Sequence, residues 1–398
     1  MKKKEPIINS LLDNDLYKFT MLQAFLYYEK ETLGEYLFTC RTPCVNFSNT
    51  IGEINNQLDY LCELSLSSEE LDYLRSLQFI KPFFIEFLNS FKLNRSDICA
   101  SIDSGGALNV RIKAPIVNAT LFEVPVLAII NQIYFEAKIQ ELKSVNGESV
   151  RACGLRRLNE KLNLIKSVSA GIRFSDFGTR RRFSFCWHKQ VLERIIDSKC
   201  PGFMGTSNVY FSKELGIHPI GTMAHEWVMV HAGITSLQNS TSMALKRWLD
   251  FYEEKQCIAL TDTYTTDYFL KYFNNELANA YYGVRHDSGD WKEWGYKMVR
   301  HYEKLGIDPA SKILVFSDNL DFKKIIEIHR EFDGKIKLAF GVGTNLTNDM
   351  GFDAIQIVIK MVKSNGKPVI KISDSPDKTI SYDRGFKEFA LGEIGRNG

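Results

Sequence analysis

The chain has 398 residues, of which 44% are apolar and 25% are charged, and its formal net charge is +2. These values are ordinary for a globular protein, and they give no indication of a nucleic-acid or membrane partner. The eight cysteines form no CxxC pair, and the longest apolar run, VPVLAII at 124–130, is too short to span a bilayer. The basic start, MKKKEP, lacks the apolar core of a signal peptide. We therefore expect a cytoplasmic enzyme with reduced thiols.

The first part of the chain, to about residue 135, mixes helical and strand patterns. LLDNDLYKFTMLQAFLYYEK (11–30) predicts a helix with Asp13 or Asn14 as its N-cap. EYLFTCRT (35–42) and LNVRIKAP (108–115) predict strands, and LSSEELDYLRSL (66–77) begins with a capping-box pattern. The stretch 132–170 predicts helix, with Gly147 as a candidate break.

From about residue 170, short strands are each followed by a polar or glycine-containing turn and then by a helix. CIAL (257–260), ILVFS (313–317) and KIKLAF (335–340) predict strands, and LDFKKIIEIHREF (320–332) predicts a helix. The turns are spaced by 30, 56, 25, 31 and 25 residues, measured between Asp176, Thr206, Asp262, Asp287, Asp318 and Gly343. Steps of 25 to 31 fit one βα unit each, and the step of 56 fits two.

A series of βα units favours a parallel sheet with its active site at the carboxyl ends of the strands. We predict an α/β fold, with an irregular (β/α) barrel at 136–352 packed against a mixed α+β domain formed by both chain ends, 1–135 plus 353–398. An open, doubly wound sheet is the alternative. The tail, 355–373, predicts a hairpin around Asn365-Gly366.

The string GTMAHEW at 221–227 raises the question of a zinc site, because a histidine is followed by a glutamate. A zinc protease motif needs HExxH, which puts two histidines on one face of a helix. Here the string is HEWVMVH, and His231 falls nearly on the opposite face from His225. The spacing therefore disfavours zinc and leaves His225 open to other roles.

Several turns carry residues suited to an anionic substrate. There is no GxxxxGK[ST] motif and no GxGxxG after a first strand, but FGVGTN (340–345) follows a strand and its amides can bind phosphate. Arg180 and Arg285 each stand in a turn with an aspartate, where a guanidinium can bind phosphate or carboxylate. Among the acids that follow strands, we expect function for Asp287 and Asp318 and helix capping for Asp290.

Seven ordered motifs together resemble the bacterial type of nicotinate phosphoribosyltransferase, a type II phosphoribosyltransferase family. They are LLDNDLYKFTM, SDFGTRRRFS, GTSNVYFSKELGIHPIGTMAHEW, LTDTYTTDYF, GVRHDSGDW, LVFSDNLD and FGVGTNLT. The resemblance runs from about residue 11 to SDSPDKTI at 373–380. One departure is Trp291, where the family often has proline, which concerns a helix start rather than catalysis.

The resemblance implies synthesis of nicotinate mononucleotide and pyrophosphate from nicotinate and phosphoribosyl pyrophosphate, in NAD biosynthesis. It also implies coupling to ATP hydrolysis, use of Mg²⁺, and a homodimer with shared active sites. His225 matches the histidine that ATP phosphorylates, and neutral imidazole is a competent nucleophile. We expect Glu226 either to orient that imidazole or to face solvent.

Further roles are implied by the same match. Phe177, with Tyr17 from the partner subunit, would sandwich the pyridine ring, and Arg180 and Arg285 would meet carboxylate or phosphate groups. Ser207 stands where nicotinamide-using relatives carry an acid, so a neutral hydroxyl there favours nicotinate. The other implied substrate-binding residues are Thr206, Asn208, Asp318, Gly341, Gly343 and Thr344. Arg285 and Asp287 would be catalytic, Arg181 and Asp262 would support them, and Mg²⁺ would be held by Asp287 or Asp318.

Three alternatives stay open. The first is a nicotinamide-specific enzyme of the same fold, and the second is a metal-dependent barrel lyase or aldolase. Such a lyase would supply an inward lysine or a tight carboxylate–histidine metal set, and no lysine stands at these strand ends. The third is an inactive homologue that acts as a binding module.

Overall fold

The computed structural model describes residues 5–142, 145, 148–168, 171–253, 255–379 and 381–395. The strands are β1 (Leu33–Cys40), β2 (Ile98–Ile102), β3 (Leu108–Pro115), β4 (Phe174–Asp176), β5 (Phe203–Thr206), β6 (Ile258–Leu260), β7 (Gly283–His286), β8 (Ile313–Phe316), β9 (Lys337–Val342), β10 (Ile357–Ser364) and β11 (Lys367–Pro368).

The helices alternate with these strands over most of the chain. They are α1 (Leu16–Tyr28), α2 (Ile51–Glu63), α3 (Ser68–Ser76), α4 (Pro82–Asn89), α5 (Ile116–Ala119), α6 (Glu123–Leu142), α7 (Val150–Val168), α8 (Phe185–Asp197), α9 (Val209–Leu215), α10 (His225–Ile234), α11 (Leu237–Tyr252), α12 (Thr266–Leu270), α13 (Asn275–Ala280), α14 (Trp291–Lys304), α15 (Phe322–Phe332), α16 (Thr344–Thr347) and α17 (Arg384–Ile394).

One sheet is antiparallel and takes strands from both ends of the chain. Its order is β11-β10-β1-β3-β2, so the central strand β1 pairs with β10 from the tail and with β3. Along β3 the burial alternates strictly, and Leu108, Val110 and Ile112 point inward as the period of a strand requires. The mixed character predicted for the two chain ends is confirmed, while the domain boundaries at 135 and 353 stay a prediction.

The tail hairpin is also present where the sequence predicts it. Asn365 and Gly366 both have positive φ, 49° and 75°, which is the backbone of the tight turn that favours Asn-Gly. The second strand, Lys367–Pro368, is only two residues long, and beyond it the N–H of Val369 donates to the carbonyl of Val362 at 3.0 Å. The Asn365 side chain accepts a hydrogen bond from the backbone N–H of Leu33 at 2.8 Å and so ties the turn to β1.

The other sheet has six parallel strands in the order β5-β4-β9-β8-β7-β6. The predicted strands at 257–260, 313–317 and 335–340 correspond to β6, β8 and β9, so the series of βα units is confirmed. Its interior is apolar, with Ala259, Val284, Leu314 and Phe340 buried. Closure of this sheet into a barrel stays a prediction.

The 56-residue step was predicted to hold two βα units, and that prediction is wrong. Between β5 and β6 the described residues form α9, α10 and α11 and no strand longer than the isolated bridge of Thr206 with Pro219. The extended segment that contains this bridge carries Gly216, Pro219 and Gly221, which cannot sustain a ladder of paired residues. As a result, an irregular segment, and not a strand, leads into α10, which begins at His225.

The start of α1 differs from the prediction as well. Its N-cap is Asp15, rather than Asp13 or Asn14. Asp13 binds Arg182 instead, and the Asn14 side chain donates to the carbonyl of Leu121. These tertiary contacts override the local capping preference.

Two other helix predictions are confirmed. The capping box of α3 is formed by Ser67 and Glu70. The stretch 132–170 is divided between α6 and α7, and the candidate break at Gly147 lies outside the described residues.

One stretch, Ile116–Gln140, is apolar and long enough to span a bilayer by length and composition alone. In its most apolar window, 83% of the residues are buried inside the protein. It therefore packs as a core helix, and its buried residues include Leu121, Val126 and Ile130.

Candidate active site

The carboxyl ends of the parallel strands lie at one edge of the sheet, and the predicted site residues follow them. Asp262 comes two residues after β6, Asp287 directly after β7 and Asp318 two residues after β8. Because neighbouring parallel strands point the same way, their following residues are neighbours too. Asp290, the fourth acid of the series, caps α14 by accepting from the N–H of Glu293, as predicted.

His225 lies against two of these acids. Its Nε2 is 2.9 Å from Asp262 Oδ1 and 3.6 Å from Asp287 Oδ2. Asp262, which the sequence placed only in a supporting role, is therefore the direct partner of the histidine. A carboxylate that accepts from one ring nitrogen fixes the tautomer and leaves the lone pair on the other.

A lysine that the sequence did not single out completes this cluster. Lys371, from the segment after the hairpin, has its Nζ 3.0 Å from Asp262 Oδ2 and 3.6 Å from Asp287 Oδ2. Lys371 does not follow a strand of the parallel sheet but belongs to the chain's tail, after β11. The only sequence signal was that the resemblance extends into this tail.

Burial and charge together determine the protonation of the cluster. Burial and Lys371 lower the pKa of His225 to about 4, against the opposing effect of Asp262 and Asp287. Burial alone would raise the pKa of Asp262, but Lys371 and His225 outweigh it and hold that pKa well below its usual value. At neutral pH the site therefore contains a neutral imidazole beside ionised carboxylates.

The cluster can also be tested as a metal site. His225, Asp262 and Asp287 offer ligand atoms within 4.8 Å of one another. The Lys371 ammonium already contacts both carboxylates, so a cation is present without a metal ion. His231 is not part of this cluster, because its Nδ1 is 2.7 Å from the carbonyl of Trp227 in the interior. His225 and His231 therefore do not lie on one face of α10 as a pair of ligands.

A second group of cations surrounds Asp318. Lys378 Nζ binds the Asp318 carboxylate and lies 3.2 Å from the carbonyl of Asp287. Lys360 and Arg41 both donate to the carbonyl of Lys378, at 3.1 and 3.2 Å. Burial, followed by the nearby Lys371 and Arg41, lowers the pKa of Lys360 to about 7. This concentration of positive charge is suited to a polyphosphate.

Arg285 contributes a further donor. Its Nη1 donates to the carbonyl of Met223 at 3.1 Å, and its Nε is buried without a hydrogen-bond partner among the described residues. A buried guanidinium donor that lacks a partner is costly unless a ligand supplies one. The arrangement therefore supports the predicted contact of Arg285 with an anion.

Phe177 and Gly341 are matched in shape. A Cβ at Gly341 would lie 2.3 Å from the Phe177 ring, whereas one at Gly343 would only reach ordinary contact, 3.4 Å from the Phe177 carbonyl. Phe177 is held in place by its N–H, which donates to the carbonyl of Val342 at 2.8 Å. Gly341 thus makes room for the aromatic ring, whatever its role towards phosphate, and Thr344 follows at the start of α16.

Arg180 lies among acids contributed by other elements. Its Nη1 is 3.4 Å from Glu123 Oε1 and its Nε is 3.9 Å from Asp15 Oδ2, with 44% of the side chain exposed. Burial raises the pKa of Tyr17 well above its usual value, and the charge of Arg180 opposes this increase. The supply of Tyr17 by a partner subunit stays a prediction.

The environment of Ser207 differs from the simple expectation. Its hydroxyl donates to Asp15 Oδ1 at 2.7 Å, so an acid is present even though residue 207 is neutral. Burial raises the pKa of Asp15, against the effect of Arg180 and Ser207. The charge that a substrate meets here is therefore set by Asp15 and Arg180 together, and not by Ser207 alone.

Asp176 connects the turns that follow β4 and β5. It accepts from the N–H of Gly178 at 2.9 Å and from the Thr206 hydroxyl at 2.6 Å, and His188 Nε2 is 2.6 Å from its Oδ2. Burial would raise the pKa of Asp176, but His188 and these donors lower it. The hydroxyl of Thr206 is used inside the protein, so its predicted contact with substrate stays a prediction.

The three arginines at 180–182 have different environments. Arg182 is fully buried and binds Asp13 through two contacts of 2.6 Å, and Asn208 donates to the same carboxylate at 2.7 Å. Arg181 donates to Gln356, and burial together with Arg180 lowers the pKa of Arg181 to about 10. The contacts of Arg181 and Asn208 with substrate stay predictions.

Glu226 meets neither expectation placed on it. Its side chain is 8% exposed, and its contacts are with Lys18, Tyr36 and Thr120 rather than with His225. The prediction that it orients the imidazole or faces solvent is therefore wrong. As the second residue of α10, it points into the interior while His225 points to the strand ends.

An α/β fold with its cations and a carboxylate-bound histidine at one sheet edge defines an enzyme for anionic, phosphate-bearing substrates. The model of the nicotinate phosphoribosyltransferase (NAPRTase) family matches residues 172–391, and that of the NAPRTase N-terminal domain matches 12–131. The chain belongs to the nicotinate phosphoribosyltransferase family, and the resemblance drawn from its seven motifs is confirmed.

Individual relatives agree over nearly the whole chain. Proteins named nicotinate phosphoribosyltransferase are 44% identical in Burkholderia mallei, covering 96% of this chain and 95% of that protein, and 45% identical in Chromobacterium violaceum, covering 97% and 96%. A crystal structure of nicotinate phosphoribosyltransferase from Vibrio cholerae is similar with a TM-score of 0.92 at 33% identity, covering 99% of this chain and 95% of that one.

Proposed function

We propose that this chain forms nicotinate mononucleotide and pyrophosphate from nicotinate and 5-phosphoribosyl 1-pyrophosphate, coupled to ATP hydrolysis, in the salvage of nicotinate for NAD biosynthesis. Family membership over nearly the full length supports the reaction. The observation that carries the proposal is the contact of a neutral His225 with Asp262 and Asp287 beside Lys371.

The first step is phosphoryl transfer to His225. The ring nitrogen with the lone pair forms a bond to the γ-phosphorus of ATP as the bond from that phosphorus to the ADP oxygen breaks. Asp262 holds the other ring nitrogen and stabilises the positive charge that develops on the imidazole. Lys371 offsets the negative charge of both carboxylates, which would otherwise repel the phosphate.

The second step joins the base to the sugar. The pyridine nitrogen of nicotinate bonds to the anomeric carbon as the bond from that carbon to pyrophosphate breaks. Arg180 is placed to receive the nicotinate carboxylate, with the rings of Tyr17 and Phe177 against the pyridine. Lys378 and Arg285 are suited to the charge of the departing pyrophosphate. Water then hydrolyses the phosphohistidine and returns His225 and phosphate.

Mg²⁺ fits this site through Asp287 or Asp318, which are partly exposed carboxylates beside a concentration of cations. Bound there together with substrate phosphates, Mg²⁺ would supply charge neutralisation.

We also propose a cytoplasmic homodimer in which the partner's Tyr17 completes the base-binding side. The test mixes Tyr17→Ala subunits with His225→Ala subunits, each inactive alone. Activity recovered in verified mixed dimers supports a shared site. Mixed dimers without activity would place Tyr17 in the site of its own chain.

The principal experiment follows both products and the phosphoenzyme. The wild-type protein is incubated with nicotinate, phosphoribosyl pyrophosphate and γ-labelled ATP, and nucleotide is measured with acid-labile, base-stable label on the protein. His225→Ala should lose the label, whereas His329→Ala, a change on the partly exposed face of α15, should keep it. Label retained by His225→Ala would overturn the phosphohistidine, and no nucleotide from the wild type would overturn the reaction.

A further inference from the structure

A buried group of charges connects α1, α6 and α10, and we call it the Lys18 network. Its members are Lys18, Glu123, Glu226 and Arg180. The side chain of Lys18 is completely buried, and its Nζ binds Glu226 and lies 2.6 Å from Glu123 Oε2. A lysine in such a position is rare unless its charge is paired on more than one side.

Glu226 is the fixed end of this network. Besides Lys18, it accepts from the Tyr36 hydroxyl at 2.5 Å and from the Thr120 hydroxyl at 3.3 Å. Tyr36 belongs to β1 and is 3% exposed, and Thr120 is fully buried. Three elements hold the Glu226 carboxylate in place. The Lys18 ammonium group that binds it therefore has little freedom to move.

Glu123 connects Lys18 to Arg180 in the candidate site. Its Oε2 contacts Lys18, and its Oε1 lies 3.4 Å from Arg180 Nη1. The two acids and two bases of the network balance in charge among themselves, and Asp15 lies outside the network, 3.9 Å from Arg180 Nε. Burial would lower the pKa of Lys18 and raise that of Glu123, but their neighbours reverse both effects, so both groups stay charged.

The sequence position of Lys18 adds a second connection. Lys18 follows Tyr17 in α1, and its Nζ lies 5.7 Å from the centre of the Tyr17 ring. A buried ion network is weak evidence for stability, since well-packed apolar residues can do as well, but such a network can fix one geometry. The geometry that this one fixes is that of Arg180.

We propose that Lys18 is a positioning residue for the base-binding side of the site, holding Arg180 through Glu123, with Glu226 as its anchor. This rests on the proposed function, because the carboxylate that Arg180 receives is that of nicotinate. Lys18 touches no reacting atom, and its effect is expected in the use of nicotinate rather than of phosphoribosyl pyrophosphate.

The test separates positioning from charge balance. Lys18→Met leaves two acids for one base, whereas Lys18→Met with Glu226→Gln leaves the Glu123 and Arg180 pair balanced. Lys30→Met, in an exposed pair with Glu31, is the matched control. For each variant, the KM values of nicotinate and of phosphoribosyl pyrophosphate, the kcat and the melting temperature are measured.

In the balanced double variant, the KM of nicotinate should rise by about tenfold, as expected for a weakened charge-assisted contact, while the KM of phosphoribosyl pyrophosphate stays within about twofold. Lys30→Met should change neither. A nicotinate KM equal to that of the wild type, or equal rises in both KM values, would overturn the proposal.

If the double variant does not fold, Lys18→Arg decides, because it keeps the charge but not the geometry. A change in the nicotinate KM alone supports positioning, and no change overturns it. The wild type is measured first, and its failure to make nucleotide would count against the proposed function rather than against Lys18.

Discussion

His225 and Asp262 lie in direct contact, with the histidine Nε2 2.9 Å from one carboxylate oxygen. The histidine that we propose as the phosphate acceptor is thus held by an acid from a different βα unit, 37 residues away along the chain. The contact connects the start of α10, which follows an irregular segment, to the turn after β6.

The contact predicts a large loss of phosphorylation in Asp262→Asn. An amide can turn its NH₂ towards the ring and hold the wrong tautomer, so transfer of label from γ-labelled ATP should slow by about 10²- to 10⁴-fold. Asp290→Asn is the control, because asparagine caps a helix as well as aspartate does. Equal rates of labelling in the two variants would contradict this role of Asp262.

Lys371→Met tests the cation of the cluster. Without the ammonium group, the carboxylates of Asp262 and Asp287 face the incoming phosphate with no compensating charge, and labelling should slow by about 10²- to 10³-fold. Lys367→Met, on the exposed turn of the hairpin, should label normally. Normal labelling of Lys371→Met would remove the lysine from the mechanism.

The contact of Gly341 with Phe177 predicts a specific effect on the base. Gly341→Ala puts a methyl group 2.3 Å from the Phe177 ring, so the ring must shift, at a cost of about 1–3 kcal/mol. The KM of nicotinate should rise by about tenfold. Gly52→Ala is the matched control, since a Cβ there meets nothing within 4 Å and helix α2 should gain about 0.5–1 kcal/mol. A nicotinate KM left unchanged by Gly341→Ala would contradict the shape match.

Local sequence patterns specify much of this fold, and those parts could be predicted from the sequence. The strands β3, β6 and β8 have alternating or continuous apolar patterns, and Asn365-Gly366 specifies its turn by backbone preference alone. The turn acids follow from the same pattern, because a residue directly after a buried parallel strand has only one edge to occupy.

The parts that could not be predicted depend on long-range contacts. Lys371 is more than a hundred residues from Asp262 in the sequence, and Glu226 turns away from its neighbour His225 because Lys18 and Tyr36 hold it. No periodicity or spacing encodes such pairings. The same reason explains the error at α1, where the Asp13 carboxylate is taken by Arg182.

Ser207→Asp tests what sets the preference for nicotinate. The new carboxyl group would lie beside Asp15, and the two acids would share a proton or repel a substrate carboxylate. The ratio of kcat/KM for nicotinate to that for nicotinamide should fall by about tenfold or more. Ser207→Asn keeps the size without the charge and should lower the ratio much less. Equal effects of the two substitutions would show that size, not charge, matters here.

Asp176 gives a prediction about stability and pH. Its folded-state pKa lies below the ordinary value of 3.8, so the stabilisation is fully present above pH 3.8 and is lost as the pH falls through the lower, folded-state pKa. Asp176→Asn should therefore lower the free energy of unfolding at pH 7 by about 1–3 kcal/mol, since the buried donors of His188 and Thr206 lose a charged acceptor.

The difference between wild type and Asp176→Asn should shrink when unfolding by denaturant is repeated at pH values below 3.8, because the wild-type carboxylate then takes up a proton. Asp197→Asn, an exposed change at the end of the same helix as His188, should leave the unfolding curve unaltered at each pH. A difference that persists undiminished in acid would mean that Asp176 contributes through its shape and not through its charge. The turns after β4 and β5 would then be joined by packing alone.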